Sequence, residues 1–94
     1  SPRDFVILPE AFTPNGDGID DYFKVLYAGD LELVSLKIMN RWGNLLFETN
    51  ILQEGWDGRK NGKDEPNGSY VYMVVVKDKK GILIKREGYF ALIR

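Results

Sequence analysis

The sequence contains no cysteine and no histidine among its 94 residues. Without cysteine no disulfide can form, and the redox compartment cannot be inferred. Without histidine the chain lacks the commonest general base and the commonest transition-metal ligand. Its few serines therefore have no base of the kind that nucleophilic catalysis needs. Asp20 and Asp21 form an adjacent carboxylate pair, but no apolar pocket is indicated around them. These absences favour a binding or structural module over an enzyme.

The chain also lacks any apolar run approaching the ~20 residues that cross a membrane as a helix, so we do not expect it to span one. It begins at Ser1-Pro2 with no initiator methionine and no signal peptide, which predicts a piece of a longer protein. Thirteen Lys and Arg residues against 14 Asp and Glu give a net charge of −1, which argues against nucleic acid as a partner.

What is present is typical of one small globular domain. Hydrophobic residues make up 44% of the chain and charged residues 29%, values that disordered segments do not have. We predict a single domain over residues 1–94, in which residues 1–4 are a linker or residues left over from cloning. We expect the isolated domain to be a monomer. A chain of this length can form one core between two packed layers.

A loop rich in turn-forming residues lies between Phe12 and Phe23. It contains two glycines, a proline, an asparagine and three aspartates. Glycine permits positive φ, proline fixes φ, and Asn and Asp side chains bond to nearby backbone N–H groups. We therefore expect this loop to have one ordered shape, anchored by its aromatic flanks.

The same loop places up to four hard oxygen ligands within seven residues, namely Asn15, Asp17, Asp20 and Asp21. Short, glycine-punctuated loops of this kind suit Ca²⁺. The pattern lacks the distant Glu of an EF-hand, and an Asx-turn with solvated carboxylates explains it better than a Ca²⁺ site does. We predict at most weak Ca²⁺ binding, with Asp17, Asp20 and Asp21 as ligands, and no other cofactor.

Apolar patterns in the first half predict short strands at residues 5–8, 22–27, 33–40 and 45–48. In the third of these, alternation places Val34, Leu36 and Ile38 on one buried face. Residues 41–44 are expected to form a turn with positive φ at Gly43-Asn44, which makes a hairpin of the strands on either side.

In the second half, residues 50–69 are predicted to be a long loop whose Trp56 caps the core or, less often, stacks on a sugar. Residues 70–76 are apolar at every position, which indicates a central strand covered on both faces. A tight turn at residues 78–81 leads to strands at 82–86 and 89–93, and Gly88 between them predicts a bulge.

These signals predict an all-β fold, an antiparallel Ig-like β-sandwich of about seven strands, because no window shows a helical stripe. The sequence of residues 68–72 resembles an Ig tyrosine corner, in which the hydroxyl of Tyr70 would donate to the backbone a few residues upstream. The predicted core contains Val34, Leu36, Ile38, Trp56, Tyr72, Val74 and Leu92.

Four motifs in order resemble one known family. They are FTPNGDGIDD at residues 12–21, IMNRWG at 38–43, WDG at 56–58 and PNGSYVY at 66–72. Together they are similar to the gliding-motility-associated C-terminal domain, the type B sorting domain of the type IX secretion system of Bacteroidota. The resemblance covers residues 5–94. Asp20 departs from it, since the family more often has Asn there.

The resemblance implies a non-catalytic C-terminal signal on a large exported protein, most like a SprB-like gliding adhesin. Such a signal is recognised as a folded domain in the periplasm. It directs its parent through the outer membrane to the cell surface or the medium. The implied partners are components of the type IX translocon and a PorP/SprF-like outer-membrane protein.

Residue chemistry suggests which surfaces a partner would recognise. The candidates are Asn15, Asp17, Asp20, Asp21, Arg41, Trp42 and Tyr89. Trp and Arg are the residue types that dominate interface energetics, and the C-terminal strand is predicted to be an accessible edge. Turn chemistry alone would also account for the two loops. Two other functions stay open: a Ca²⁺-dependent carbohydrate-binding or adhesive module, and an Ig-like spacer.

Overall fold

The structure is a computed structural model that describes residues 6–14, 22–26 and 28–93. Every regular element among these residues is a β-strand, and the all-β prediction is confirmed. The seven strands are β1 (Ala11–Phe12), β2 (Glu32–Met39), β3 (Leu45–Thr49), β4 (Arg59–Lys60), β5 (Lys63–Asp64), β6 (Gly68–Lys77) and β7 (Leu83–Leu92).

Five of the strands form one sheet in the order β1-β7-β6-β2-β3. The long apolar strand β6 is central, with β7 and β2 antiparallel on its two sides. The short strand β1 pairs in parallel with the end of β7, so the sheet is mixed where a fully antiparallel one was expected. The order β7-β6-β2-β3 is the G-F-C-C′ order of an Ig variable-type sheet. It favours the Ig-like assignment, which stays a prediction.

Irregular chain covers the inner face of this sheet. Phe23 and Trp56 exchange two backbone hydrogen bonds of 2.9 Å, and the Leu26 N–H donates to the Ile7 carbonyl over 2.8 Å. The strands predicted at residues 5–8 and 22–27 are therefore wrong in their described parts, since Phe23 forms only an isolated bridge. Pro9, which has no N–H, ends the first run before it can form a ladder.

The two-stranded hairpin of β4 and β5 corrects the prediction that residues 50–69 are a long loop. Its turn uses Asn61 and Gly62 in positive-φ conformations, with φ of 54° and 80°. Two adjacent residues with positive φ are typical of the tight turns that join antiparallel strands.

Aromatic rings fill the space between the sheet and this cover. The rings of Phe23 and Phe90 stack with centroids 3.8 Å apart, and those of Phe12 and Trp56 lie 5.7 Å apart. Trp56 is only 1% exposed, and its indole N–H donates to the Arg59 carbonyl over 2.9 Å. A buried indole needs such an acceptor. Trp56 therefore caps the core as predicted, and the alternative of sugar stacking at this residue is wrong.

One predicted core residue, Val34, is 40% exposed. The β2–β6 register shifts between Leu33 and Ser35, and this bulge moves Val34 out of the alternation and places Leu33 in the core instead. The other predicted members follow the expected burial: Leu36, Ile38, Trp56, Val74 and Leu92 are buried, and Tyr72 packs half-buried against them.

Gly88 does not form the predicted bulge. The β6–β7 register runs without interruption from Gly68 opposite Leu92 to Lys77 opposite Leu83. A Cβ atom at residue 88 would lie 2.6 Å from the hydroxyl oxygen of Tyr72 on the neighbouring strand. The glycine therefore provides the space in which the Tyr72 ring packs over the sheet.

Candidate functional site

Four predicted site residues lie outside the described residues: Asn15, Asp17, Asp20 and Asp21. Their role in recognition, the ordered loop and the weak Ca²⁺ site therefore stay predictions. Within residues 6–14, 22–26 and 28–93, no three Asp or Glu side chains come together as a metal site would require.

The turn that carries Arg41 and Trp42 is held by the side chain of Asn40. Its Oδ1 accepts the backbone N–H groups of Trp42 and Asn44, each over 3.0 Å. Backbone bonds from Asn40 to Asn44 and from Gly43 to Asn40 close the hairpin. The predicted turn is confirmed, although only Gly43 has positive φ, at 83°, and Asn44 does not.

Arg41 and Trp42 form an exposed stacked pair on this turn. The Cζ atom of Arg41 lies 4.4 Å from the centroid of the Trp42 ring, and Trp42 is 71% exposed. A guanidinium over an indole gains cation–π energy and keeps its N–H donors in its own plane. The pair therefore presents an apolar ring and a set of donors on a rigid turn.

A cavity of about 160 Å³ lies between this turn and the chain that leads into β6. The Tyr70 hydroxyl donates to the Pro66 carbonyl over 2.5 Å, which confirms the bond predicted for the tyrosine corner and holds this chain in place. Sequence reasoning missed the cavity, because its two walls are far apart in the chain. Its lining comprises Asn40, Arg41, Trp42 and residues 66–70.

Tyr89 lies in an apolar row on the outer face of the sheet. Met39 is opposite both Leu45 and Val71, and Val71 is opposite Tyr89. Opposite residues share a face, so these four side chains form one row across the sheet. The row runs from Leu45 and Met39, which flank the turn at residues 40–44, to Tyr89. Tyr89 is 78% exposed, whereas Met39 and Val71 are half-buried.

Charged side chains follow this row on the same face. Lys37 pairs with Glu48 over 3.7 Å and Lys85 with Glu87 over 3.1 Å. The outer residues of β6 are therefore only half-buried, and the prediction that both of its faces are covered is wrong for the outer one. Near the turn of Arg41 and Trp42, this face exposes the apolar side chains of Leu45 and Tyr89.

The C-terminal strand is a partly covered edge. Strand β1 pairs with it where the Ala91 N–H donates to the Glu10 carbonyl over 2.9 Å and the Ile93 N–H donates to the Phe12 carbonyl over 3.1 Å. The prediction of an accessible edge is therefore wrong at this end. Toward Leu83, no strand of the described chain pairs on the same side.

Comparison with known proteins gives one family. A family model described as the CHU_C type IX secretion signal domain matches residues 6–92, which span all seven strands and both walls of the cavity. No curated protein matches the chain. Residues 6–14, 22–26 and 28–93 contain no helix with the length and apolar character that crossing a membrane requires.

Proposed function

The chain belongs to the CHU_C type IX secretion signal domain family, and we propose that it acts as the C-terminal signal of a large, gliding adhesin-like surface protein. Membership makes it a signal of the type IX secretion system, whose cargo is exported to the cell surface or the medium. A sorting-signal family is not a catalytic one, which is consistent with the chemistry absent from the sequence.

The proposed mechanism is recognition of the folded domain in the periplasm, followed by passage across the outer membrane. The observation that supports it is the Arg41–Trp42 pair, which is exposed on a turn whose hydrogen bonds use neither of these two side chains. Trp and Arg in rigid, pocket-forming positions are typical hot spots of protein interfaces. The partners we propose are translocon components, including a PorP/SprF-like outer-membrane protein.

We place the recognition surface on the turn at residues 40–44 together with the row that ends at Tyr89. The hydrogen-bonded hairpin holds the residues of this surface in place, and rigid scaffolds of this kind position loop residues for binding. The loop that contains Asp17, Asp20 and Asp21 is a second proposed surface, and it rests on the sequence resemblance alone.

A carbohydrate-binding or adhesive role is the alternative that one observation favours. Trp42 is 71% exposed beside a cavity of about 160 Å³, an arrangement on which a sugar ring could stack. Trp56 cannot contribute to it, because that ring is buried. Glycan binding by the chain, with and without Ca²⁺, separates this role from sorting.

The test is export of a folded reporter fused to this chain, in cells with a working type IX system and in cells whose translocon is inactive. We expect export only in the former. Arg41→Ala and Trp42→Ala should lower export while the melting temperature stays within a few degrees of the parent. Asp20→Ala tests the acidic loop in the same way, and Lys79→Ala serves as the matched control on another turn.

Two outcomes would contradict the proposal. Equal export with and without the translocon would remove the sorting function itself. Normal export of folded Arg41→Ala and Trp42→Ala would show that the turn is scaffold, and the recognition surface would then lie elsewhere on the domain.

A further inference from the structure

We infer that the cavity beside Trp42 binds an apolar side chain of the secretion partner, while Arg41 binds a carboxylate next to it in the same extended segment. This inference rests on the proposed function and adds the chemistry of the partner: an acidic-apolar peptide segment rather than a basic segment or a sugar.

The size of the cavity fits one side chain. Its volume is about 160 Å³, close to the ~150 Å³ of an apolar protein cavity that accommodates benzene. Trp42, Pro66 and Tyr70 are among the residues that line it, and most of the lining surface is apolar. Binding sites of this type are mostly apolar, with a few polar groups that fix orientation. A branched aliphatic or aromatic side chain therefore matches the cavity in size and polarity.

The charge at the site favours an anion. Among the described residues that line the cavity, Arg41 is the charged one, and none of them is a carboxylate. Arg41 forms no ion pair with an Asp or Glu of the described chain. It shares this property with five other described cations, namely Lys24, Lys60, Lys63, Lys80 and Arg86. The guanidinium of Arg41 is instead stacked on Trp42, which leaves the in-plane N–H groups for a bidentate carboxylate.

A second donor comes from the turn itself. Because Oδ1 of Asn40 already accepts two backbone N–H groups, the amide NH₂ of this side chain remains for a ligand that accepts hydrogen bonds. The hydroxyl of Ser69 is a further lining group. An ammonium ligand would face the positive charge of Arg41, and no described lining residue offers a carboxylate to compensate for it. The lining therefore selects for a carboxylate beside the apolar group.

The two tryptophans allow a direct test by NMR. The indole N–H of Trp42 lies at the site, and that of the buried Trp56 is an internal control. The probes are acetyl-Glu-Leu-amide, acetyl-Gln-Leu-amide, acetyl-Glu-Gly-amide and the neutral sugar methyl mannoside. We expect the Glu-Leu probe to shift the indole N–H signal of Trp42 saturably, with a Kd of about 1 mM. The indole N–H signal of Trp56 should not shift.

The expected selectivity follows from the two contacts. Replacing Glu by Gln in the probe, or Leu by Gly, should weaken binding by about tenfold, as loss of a charge-assisted bond or of a buried side chain would. Arg41→Lys should weaken the Glu-Leu probe because it loses the fork geometry. Lys79→Ala should bind this probe like the parent. Equal affinities for the Glu and Gln probes, a preference for methyl mannoside, or no saturable shift would each overturn the inference.

Export measurements separate this inference from the proposed function. If Arg41→Ala lowers export but no probe binds selectively, recognition at the turn stands and the peptide chemistry inferred here is wrong. If the Glu-Leu probe binds selectively and Arg41→Ala is exported like the parent, the site exists but the secretion system does not use it.

Discussion

Two hairpin turns at opposite ends of the central sheet are built from the same hydrogen bonds. In the first turn, residues 40–44, Oδ1 of Asn40 accepts two backbone N–H groups. In the second, residues 78–82, Oδ1 of Asp78 accepts the N–H groups of Lys80 and Ile82, each over 2.9 Å. Matching backbone bonds close both turns. Gly43 and Gly81 have φ of 83° and 85° at equivalent positions.

The turns differ in the two side chains that this bonding does not use. The first presents Arg41 and Trp42 beside a cavity, whereas the second presents Lys79 and Lys80. Lys79 forms a solvent-exposed ion pair with Asp30 over 3.7 Å. Since the same bonds form around a pair of lysines, the turn does not require an arginine and a tryptophan. The hydrogen-bonded frame of the hairpin and its exposed side chains are therefore separate features, and the side chains are available for binding.

Removing the side-chain acceptors should give the largest loss of stability. The loss should be equal at the two turns if their hydrogen-bonded frames are equivalent. Asn40→Ala and Asp78→Ala each remove two hydrogen bonds, and each should lower the free energy of unfolding by about 2 kcal/mol, since one such bond contributes about 1 kcal/mol. Urea denaturation of both variants measures this. The conservative changes Asn40→Asp and Asp78→Asn retain an acceptor and serve as controls. A loss at one turn only would show that the frames are not equivalent.

Substituting the two turn glycines should give the second largest loss in the free energy of unfolding. Gly43→Ala and Gly81→Ala place a Cβ on a left-handed residue, which costs about 1–2 kcal/mol. Nothing lies within 4 Å of the added Cβ at either position, so the penalty should be purely conformational and equal at the two turns. The free energies of unfolding from thermal scans test this. Unequal losses would reveal a contact that distinguishes the turns, and asparagine at either position should recover part of the loss.

Truncating the exposed side chains of the two turns should give the smallest change in the free energy of unfolding. Arg41→Ala removes a stacking contact and Lys79→Ala removes an exposed ion pair. Each should change the free energy of unfolding by less than about 0.5 kcal/mol, as surface substitutions usually do. The same denaturation experiment measures both. A large loss for Arg41→Ala alone would mean that this residue stabilises the fold, and its exposure would then say little about recognition.

Local chemistry made both turns predictable from sequence. Gly43 and Gly81 each follow an Asn or Asp by three residues between apolar runs, and these residue types have a specific turn chemistry. The bond from Tyr70 to Pro66 was predictable for the same reason, because it spans four residues. Alternation also placed Leu36 and Ile38 correctly in the core.

Features that depend on neighbouring strands were not predictable. The bulge at Val34 is a property of the pairing with β6, and the sequence around it reads as regular alternation. Gly88 carries a local signal for a bulge, yet the structure uses it to admit the ring of Tyr72 from the adjacent strand. The candidate cavity joins Trp42 to Pro66, and only the tertiary fold brings them together.

Exchanging the exposed side-chain pairs of the two turns tests whether Arg41 and Trp42 serve recognition and not folding. The double variant Arg41→Lys/Trp42→Lys should unfold like the parent, yet deliver about tenfold less fused reporter to the cell surface, as loss of a hot-spot pair would. The reciprocal variant, Lys79→Arg/Lys80→Trp, should be exported like the parent. Parental export of the first variant, with folding intact, would contradict the account.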